Sequence, residues 1–302
     1  MSSTLSATRL RRLRNIALRW TILLIVLGFF FWSTGCMERF FYYPQRGPTP
    51  LSLAPPSTEA VDFTSADGTR LHGWFVPARD AAAIEQRRAQ PTILHVHGNA
   101  GNIISHVYFT EHLPPAGFNV FIFDFRGYGQ SEGAATRRAG LIADTQAALD
   151  HLLARADVDP TRIGLYGQSL GAAIALNVMA ERPEIRAAVF ESAFSSWRDA
   201  AASAIGGDPP FFLAAWTAAV CIPDHARPID AIARIDRPML LLHGNGDTII
   251  PVGHSRRLAA AAGERAHLVI LEGGGHNTLR DSHPEIDGRM IDFLREHLGS
   301  PP

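Results

Sequence analysis

The 302-residue chain contains no lysine: all 28 of its basic residues are arginine, set against 29 acidic ones for a formal net charge of −1. Without an ε-amine, Schiff-base and lysine-nucleophile chemistry are excluded. The charge balance, with no basic face beyond the N-terminus, leaves no footprint for nucleic acid. Cysteine is almost as scarce. Cys36 and Cys221 cannot build a disulfide framework, and Cys221, in an Ala-Ala-Val-Cys-Ile-Pro run, reads as a small packed hydrophobe rather than a reactive thiol. Internal repeats and low-complexity tracts are lacking. So is a set of His, Cys and acidic residues at metal-ligand spacing. His95 and His97 share one strand face without further partners, so no metal and no cofactor is implied. What is present, at 46% hydrophobic and 19% charged, is a globular chain long enough for one large core.

The N-terminus has a different character. Arg9, Arg11, Arg12, Arg14 and Arg19 precede the apolar run 20–32, a positive n-region leading into an h-region. Counted from Ile16, with Arg19 snorkelling, the stretch is long enough to enter or span a bilayer. The positive-inside rule puts the remainder of the chain on the extracytoplasmic side, which is the periplasm in a bacterium. Residues 1–36 are therefore expected to act as a signal or membrane anchor. Ser33-Thr34-Gly35-Cys36 resembles a bacterial lipoprotein processing site, with Ser33 where that motif usually carries Leu. The alternative is an uncleaved signal anchor that ends at Gly35-Cys36. Residues 37–43 (MERFFYY) then supply an interfacial aromatic belt, and five prolines from Pro44 to Pro56 predict a stiff connector over 37–58, ahead of a folded domain at 59–302.

Within that domain, strand-like and helix-like stretches alternate. Residues 61–64, the Asp67-Gly68 turn and residues 70–76 predict a starting hairpin. Apolar strands are expected at 92–96, 119–123, 163–166, 187–190, 239–242 and 268–271, with helices near 103–113, 137–153, 170–180, 254–262 and 284–298. Continuous apolar strands separated by helices imply an α/β fold: a mostly parallel eight-stranded sheet covered on both faces. In such sheets the site lies beyond the carboxyl ends of the strands.

The chemistry-bearing motifs fall at those ends. Gly167-Gln168-Ser169-Leu170-Gly171 places a serine between two glycines at a strand-to-helix corner, the nucleophile elbow of α/β-hydrolases. A serine hydroxyl is a weak nucleophile at neutral pH and needs a base, and the base needs an orienting acid. Leu271-Glu-Gly-Gly-Gly-His276 carries a histidine on a glycine loop after the last strand, and Asp247 comes after the strand before it in His-Gly-Asn-Gly-Asp. Ser169, Asp247 and His276 are thus the candidate nucleophile, acid and base. Glu191, at the end of an earlier strand, is the competing acid. His97-Gly-Asn99-Ala-Gly lies where an oxyanion loop belongs, with the backbone N–H groups of Asn99 and Leu170 as donors. In the turn 124–131, Tyr128 is a candidate substrate contact, whereas Ser131 has no elbow around it.

Taken together, HGNAG, DFRGYGQS, GQSLG, ESAFSS, HGNGDTIIP and GGGHN resemble a branch of the α/β-hydrolase superfamily. That branch contains membrane-tethered serine hydrolases, among them depalmitoylase-like and lysophospholipase-like proteins. The resemblance implies the same triad and oxyanion donors. It also implies a serine esterase or thioesterase acting on small-molecule or lipid esters through an acyl-enzyme. A peptidase or amidase of the same fold and a non-catalytic membrane-tethered binding protein are the alternatives. Residues 194–236 sit where relatives insert a lid and predict a small helical cap. Trp197, Phe211, Phe212 and Trp216 there are candidates for an acyl pocket, or for plain packing of the cap.

Overall fold

The structure is a computed structural model that describes residues 9, 11–23, 26, 28, 38–79, 90–205 and 222–299. Its eight strands are β1 Glu59–Thr64, β2 Arg70–Val76, β3 Gln90–Val96, β4 Asn119–Asp124, β5 Val158–Gln168, β6 Ile185–Glu191, β7 Met239–Gly244 and β8 Ala266–Leu271. They form one sheet in the order β1-β2-β4-β3-β5-β6-β7-β8. β1 and β2 pair antiparallel, as does β2 with β4; every other pairing is parallel. The central strands are apolar on both sides because both sides are covered. Along β7, Met239 and Leu241 join one core cluster and Leu240 and Leu242 the other, the period-two alternation of a strand between two helical layers.

The helices are α1 Ile103–His106, α2 Arg138–Ala154, α3 Leu170–Glu181, α4 Trp197–Ile205, α5 Pro228–Ile232, α6 Gly253–Ala262, α7 Leu279–Ser282 and α8 Glu285–Leu298. Leu141, Leu149 and Leu152 of α2 and Leu258 of α6 cover one face together with α3, whose residues Leu170 to Met179 are all buried. A helix apolar all round belongs in the middle of a core, and α3 sits there. Ile286, Met290, Leu294 and Leu298 of α8, a strict 4-residue stripe, cover the other face.

Two expectations are corrected. The helix expected over 103–113 is a single turn, α1, running into a 3-10 turn at Val107–Thr110. Asn102 and Ser105 close a capping box at its start, but β-branched Ile103, Ile104 and Val107 are poor helix formers and Pro114 blocks extension. The second correction concerns 37–58, expected to be a connector ahead of the domain. Within it Glu38, Tyr42 and Thr49 are buried at 3%, 6% and 2% exposure, and Tyr42 belongs to the main core cluster. The proline-rich composition limits the segment's own conformations, which lowers the entropy lost when it docks.

At the N-terminus residues 11–23 are helical, with Leu13, Leu18 and Trp20 all more than half exposed. Among the described residues, no helix is long and apolar enough to cross a membrane. Residues 24, 25, 27 and 29–37 of this region, Cys36 among them, lie outside the described residues.

Candidate active site

Ser169 is the residue between β5 and α3, with φ +53° and ψ −113°. This conformation is strained for a non-glycine residue and persists only where the surroundings enforce it. Three features do so. The Ser169 N–H donates to the Glu191 carbonyl at 2.9 Å, tying the corner to β6. A Cβ on Gly171 would lie 1.9 Å from the Val96 carbonyl oxygen, and one on Gly167 2.8 Å from the Ala172 backbone. Only glycines on both sides let α3 start this close to β3 and to its own entry strand.

His276 reaches the serine from the loop after β8, and Asp247 reaches the histidine from the loop after β7. Ser169 Oγ lies 3.0 Å from His276 Nε2, and His276 Nδ1 lies 2.6 Å from Asp247 Oδ2. Asp247 Oδ1 accepts the N–H groups of Ile249 and Ile250 at 2.9 and 2.8 Å. Burial pushes this carboxyl's pKa up. Hydrogen bonding from His243 and His276, reinforced by the Ile250 N–H, outweighs that and holds it below the ordinary carboxylate range. An ionised carboxylate can only accept, so Nδ1 of His276 must donate to it. In the neutral ring Nε2 is then free to accept the serine proton.

Sequence reasoning missed two residues of this arrangement. His243 is fully buried at the end of β7, with Nε2 2.8 Å from the Ile250 carbonyl and 3.3 Å from Asp247 Oδ2, and Nδ1 2.7 Å from Ser255 Oγ. It braces the acid's loop from below. Its signal was its place four residues before Asp247, at the strand end. Gln168 is the other: its side-chain amide donates to Asn277 Oδ1 at 2.9 Å, linking the elbow to the loop that carries His276.

The sequence profile described as alpha/beta hydrolase fold matches residues 91–229, and one described as TAP-like protein matches 212–299. The alpha/beta hydrolase domain-containing protein WAV2 of Arabidopsis thaliana is 37% identical over 216 residues, 68% of this chain and 67% of WAV2. The chain belongs to the α/β-hydrolase family. This α/β-hydrolase is also 38% identical over 266 residues to the uncharacterized protein YfhR of Escherichia coli K12, covering 86% of the chain and 87% of YfhR. Among solved structures it superposes on the Pyrococcus furiosus esterase Pf2001 with a TM-score of 0.68 at 24% identity, over 85% of this chain and 100% of the esterase.

Other candidate residues of the hydrolase are packed inside it. Glu191, the competing acid, faces the α8 side of the sheet and accepts the Tyr166 hydroxyl at 2.8 Å on Oε2, while Oε1 has no partner among the described residues. Burial pushes its pKa up to about 7. It lies behind the elbow and bonds Tyr166, whereas the carboxylate on His276 is Asp247. Tyr128, a candidate substrate contact, is 0% exposed; its hydroxyl donates to Asn99 Oδ1 at 2.9 Å and its ring packs on His97 and Phe125. Trp197, a candidate for an acyl pocket or for packing of the cap, is 1% exposed, with its indole N–H on the Ala226 carbonyl and its ring between Phe194, Phe41 and the Arg138 guanidinium. Both are packed because a ring with a polar tip is stable inside once that tip has a partner. Phe211, Phe212 and Trp216 lie outside the described residues.

Asn99 lies in the turn after β3, and Leu170 opens α3, where its N–H has no acceptor within the helix. Ser131 accepts the His72 N–H and donates to the Asp124 carbonyl, a turn brace. His95 and His97 part company despite sharing a strand face: His95 bonds Thr110, and His97 bonds the Gly98 carbonyl. Burial depresses both imidazole pKa values well below the usual range, so both rings are neutral.

Proposed function

We propose that this protein is a membrane-tethered serine hydrolase that cleaves carboxylic esters or thioesters of acyl or lipid type. The observation that carries the reading is the unbroken chain from Ser169 Oγ through the His276 ring to Asp247, at 3.0 and 2.6 Å, built on a strained corner. Ser169 Oγ attacks the substrate carbonyl while His276 Nε2 takes its proton, and Asp247 stabilises the imidazolium that forms. The oxyanion that develops is met by the N–H groups of Asn99 and Leu170, each worth about 3 kcal/mol in the transition state. His276 then returns the proton to the leaving alcohol or thiol as the acyl-enzyme forms. A water molecule, deprotonated by the same ring, releases the acid and restores the serine.

Membrane tethering, with the catalytic domain on the extracytoplasmic side, is part of the same proposal. It is supported by the five arginines ahead of the apolar run and by the exposed apolar side chains of the 11–23 helix. Residue 37 is four residues from Phe41, a reach of at most about 14 Å, so an anchor ending there keeps the site close to the bilayer. That proximity favours acyl substrates, in keeping with the depalmitoylase-like and lysophospholipase-like branch.

Labelling with a fluorophosphonate probe tests the nucleophile: the wild type should label and Ser169→Ala should not. A series of p-nitrophenyl esters from acetate to palmitate then reports acyl length, with longer chains expected to give the higher kcat/KM. Equal labelling of both proteins would remove Ser169 as nucleophile, and no labelling of either would favour a binding role. The mass of the mature N-terminus separates an intact anchor from a lipid-modified Cys36.

A further inference from the structure

The turn that carries Asn99 is held by a part of the chain more than fifty residues away. Asn99 Oδ1 accepts the Tyr43 N–H at 3.0 Å, the Tyr128 hydroxyl at 2.9 Å and the Ala100 N–H at 2.9 Å, and its Nδ2 donates to the Phe41 carbonyl. Both polar atoms of the side chain are directed at this junction. Beside it Ala100 sits at φ +65° and Gly101 at +69°. An alanine keeps that left-handed conformation only when its neighbours enforce it. Here the Gln45 N–H donates to the Gly101 carbonyl at 3.0 Å, the Asn102 amide donates to the Gln45 carbonyl at 3.3 Å, and His106 Nε2 donates to the Ala100 carbonyl at 2.8 Å.

The segment making these bonds is anchored at both ends. At one, Glu38 is buried against Arg138, with 3.1 Å to the guanidinium and 2.9 Å to the Arg138 N–H; Phe41 packs edge-on against Trp197 of the cap. At the other, the Gly129 N–H donates to the Gln45 carbonyl and the Gly47 N–H to the Gly129 carbonyl, each at 3.0 Å. Residues 38–47 thus form a strap from the cap to the turn after β4, laid along the turn that bears Asn99.

We propose that this strap is a positioning element of the active site, acting through the Asn99 side chain and Tyr128 to set the Asn99 N–H where the oxyanion forms. The inference rests on the serine-hydrolase reading and deepens it. A donor moved by about 1 Å loses most of its advantage in the transition state while barely changing ground-state binding. The strap should therefore act on kcat and leave KM alone.

The test uses the full-length protein in detergent, p-nitrophenyl butyrate as substrate and an alkyl trifluoromethyl ketone as transition-state analogue. Tyr43→Pro deletes the strap N–H that Asn99 accepts, and Tyr43→Ala keeps it. Tyr128→Phe deletes the second donor without touching the strap. Tyr43→Pro and Tyr128→Phe are each expected to lower kcat about tenfold with KM within twofold, and to raise the ketone Ki by the same factor. Tyr43→Ala should restore kcat to within twofold of wild type. Unchanged kcat in both Tyr43→Pro and Tyr128→Phe, with activity still dependent on Ser169, would overturn the strap's role alone. So would a loss of kcat that follows the thermal midpoint while the ketone Ki stays fixed. Activity that survives Ser169→Ala would overturn the underlying hydrolase reading instead.

Discussion

Replacing Glu191 with glutamine should stabilise the protein, and increasingly so as the pH rises toward neutrality. The carboxyl is wholly buried behind the elbow, its Oε2 accepting from Tyr166 and its Oε1 without a partner among the described residues, and burial lifts its pKa from 4.5 to about 7. A carboxyl whose folded pKa is raised contributes stability that is full below its unfolded pKa and lost as pH climbs through the folded one. The window therefore runs from about pH 4.5 to about pH 7, and at about 1.4 kcal/mol per pH unit the full loss is about 3 kcal/mol. Glutamine keeps an oxygen for the Tyr166 hydroxyl and never ionises. Urea unfolding of both proteins at pH 5, 6, 7 and 8 measures the effect. The stability difference in favour of Glu191→Gln should grow by about 2 kcal/mol from pH 5 to pH 7 and level off above. A difference that stays flat across that range would mean that burial does not oppose ionisation of Glu191, and the reasoning from desolvation would fail.

Other substitutions probe other links. Asp247→Asn should lower kcat about 10⁴-fold, because asparagine favours the wrong His276 tautomer, while Glu191→Gln keeps near wild-type kcat. The reverse outcome in ester hydrolysis would move the acid to Glu191. Gly171→Ala would put a Cβ 1.9 Å from the Val96 carbonyl oxygen and 2.4 Å from that of His97. It should cost about 3 kcal/mol in denaturant unfolding, since backbone atoms cannot move aside as side chains can. Glu38→Ala leaves the Arg138 guanidinium buried, 1% exposed, without its counter-charge. A loss of about 3 kcal/mol is expected in the same assay, and a loss under about 1 kcal/mol would show that the pair does not anchor the segment.

How far the sequence reaches depends on which atoms do the work. Strands β3 to β8 were legible because burial on both faces demands continuous apolar runs, and Ala187 to Phe190 or Met239 to Leu242 have no other stable use. Ser169, His276 and Asp247 were legible for a related reason: each is a distinctive side chain at a strand end flanked by glycines that close backbone approach requires. Tyr128 and Trp197 were left open between pocket and packing because an aromatic ring looks the same in a sequence whether it lines a pocket or fills a core. The deciding fact is whether its polar tip finds a partner, as these two do in Asn99 and Ala226.

The docked 38–47 segment was the least legible part, for a reason that lies in its bonding. Its bonds to Asn99, Gly101 and Gly129 come from the main-chain groups of Phe41, Tyr43, Gln45 and Gly47, which every residue type but proline can supply. The side chains that tie it down have distant partners: buried Glu38, whose partner is a hundred positions away, Phe41 against Trp197, and Asn99, whose polar atoms turn back from the sheet edge to receive the strap. A local reading sees prolines and infers a spacer. Yet prolines that limit the free chain also reduce the entropy lost when it docks, so the same composition suits a fixed strap equally well. Composition fixes stiffness; the choice between spacer and strap falls to long-range partners.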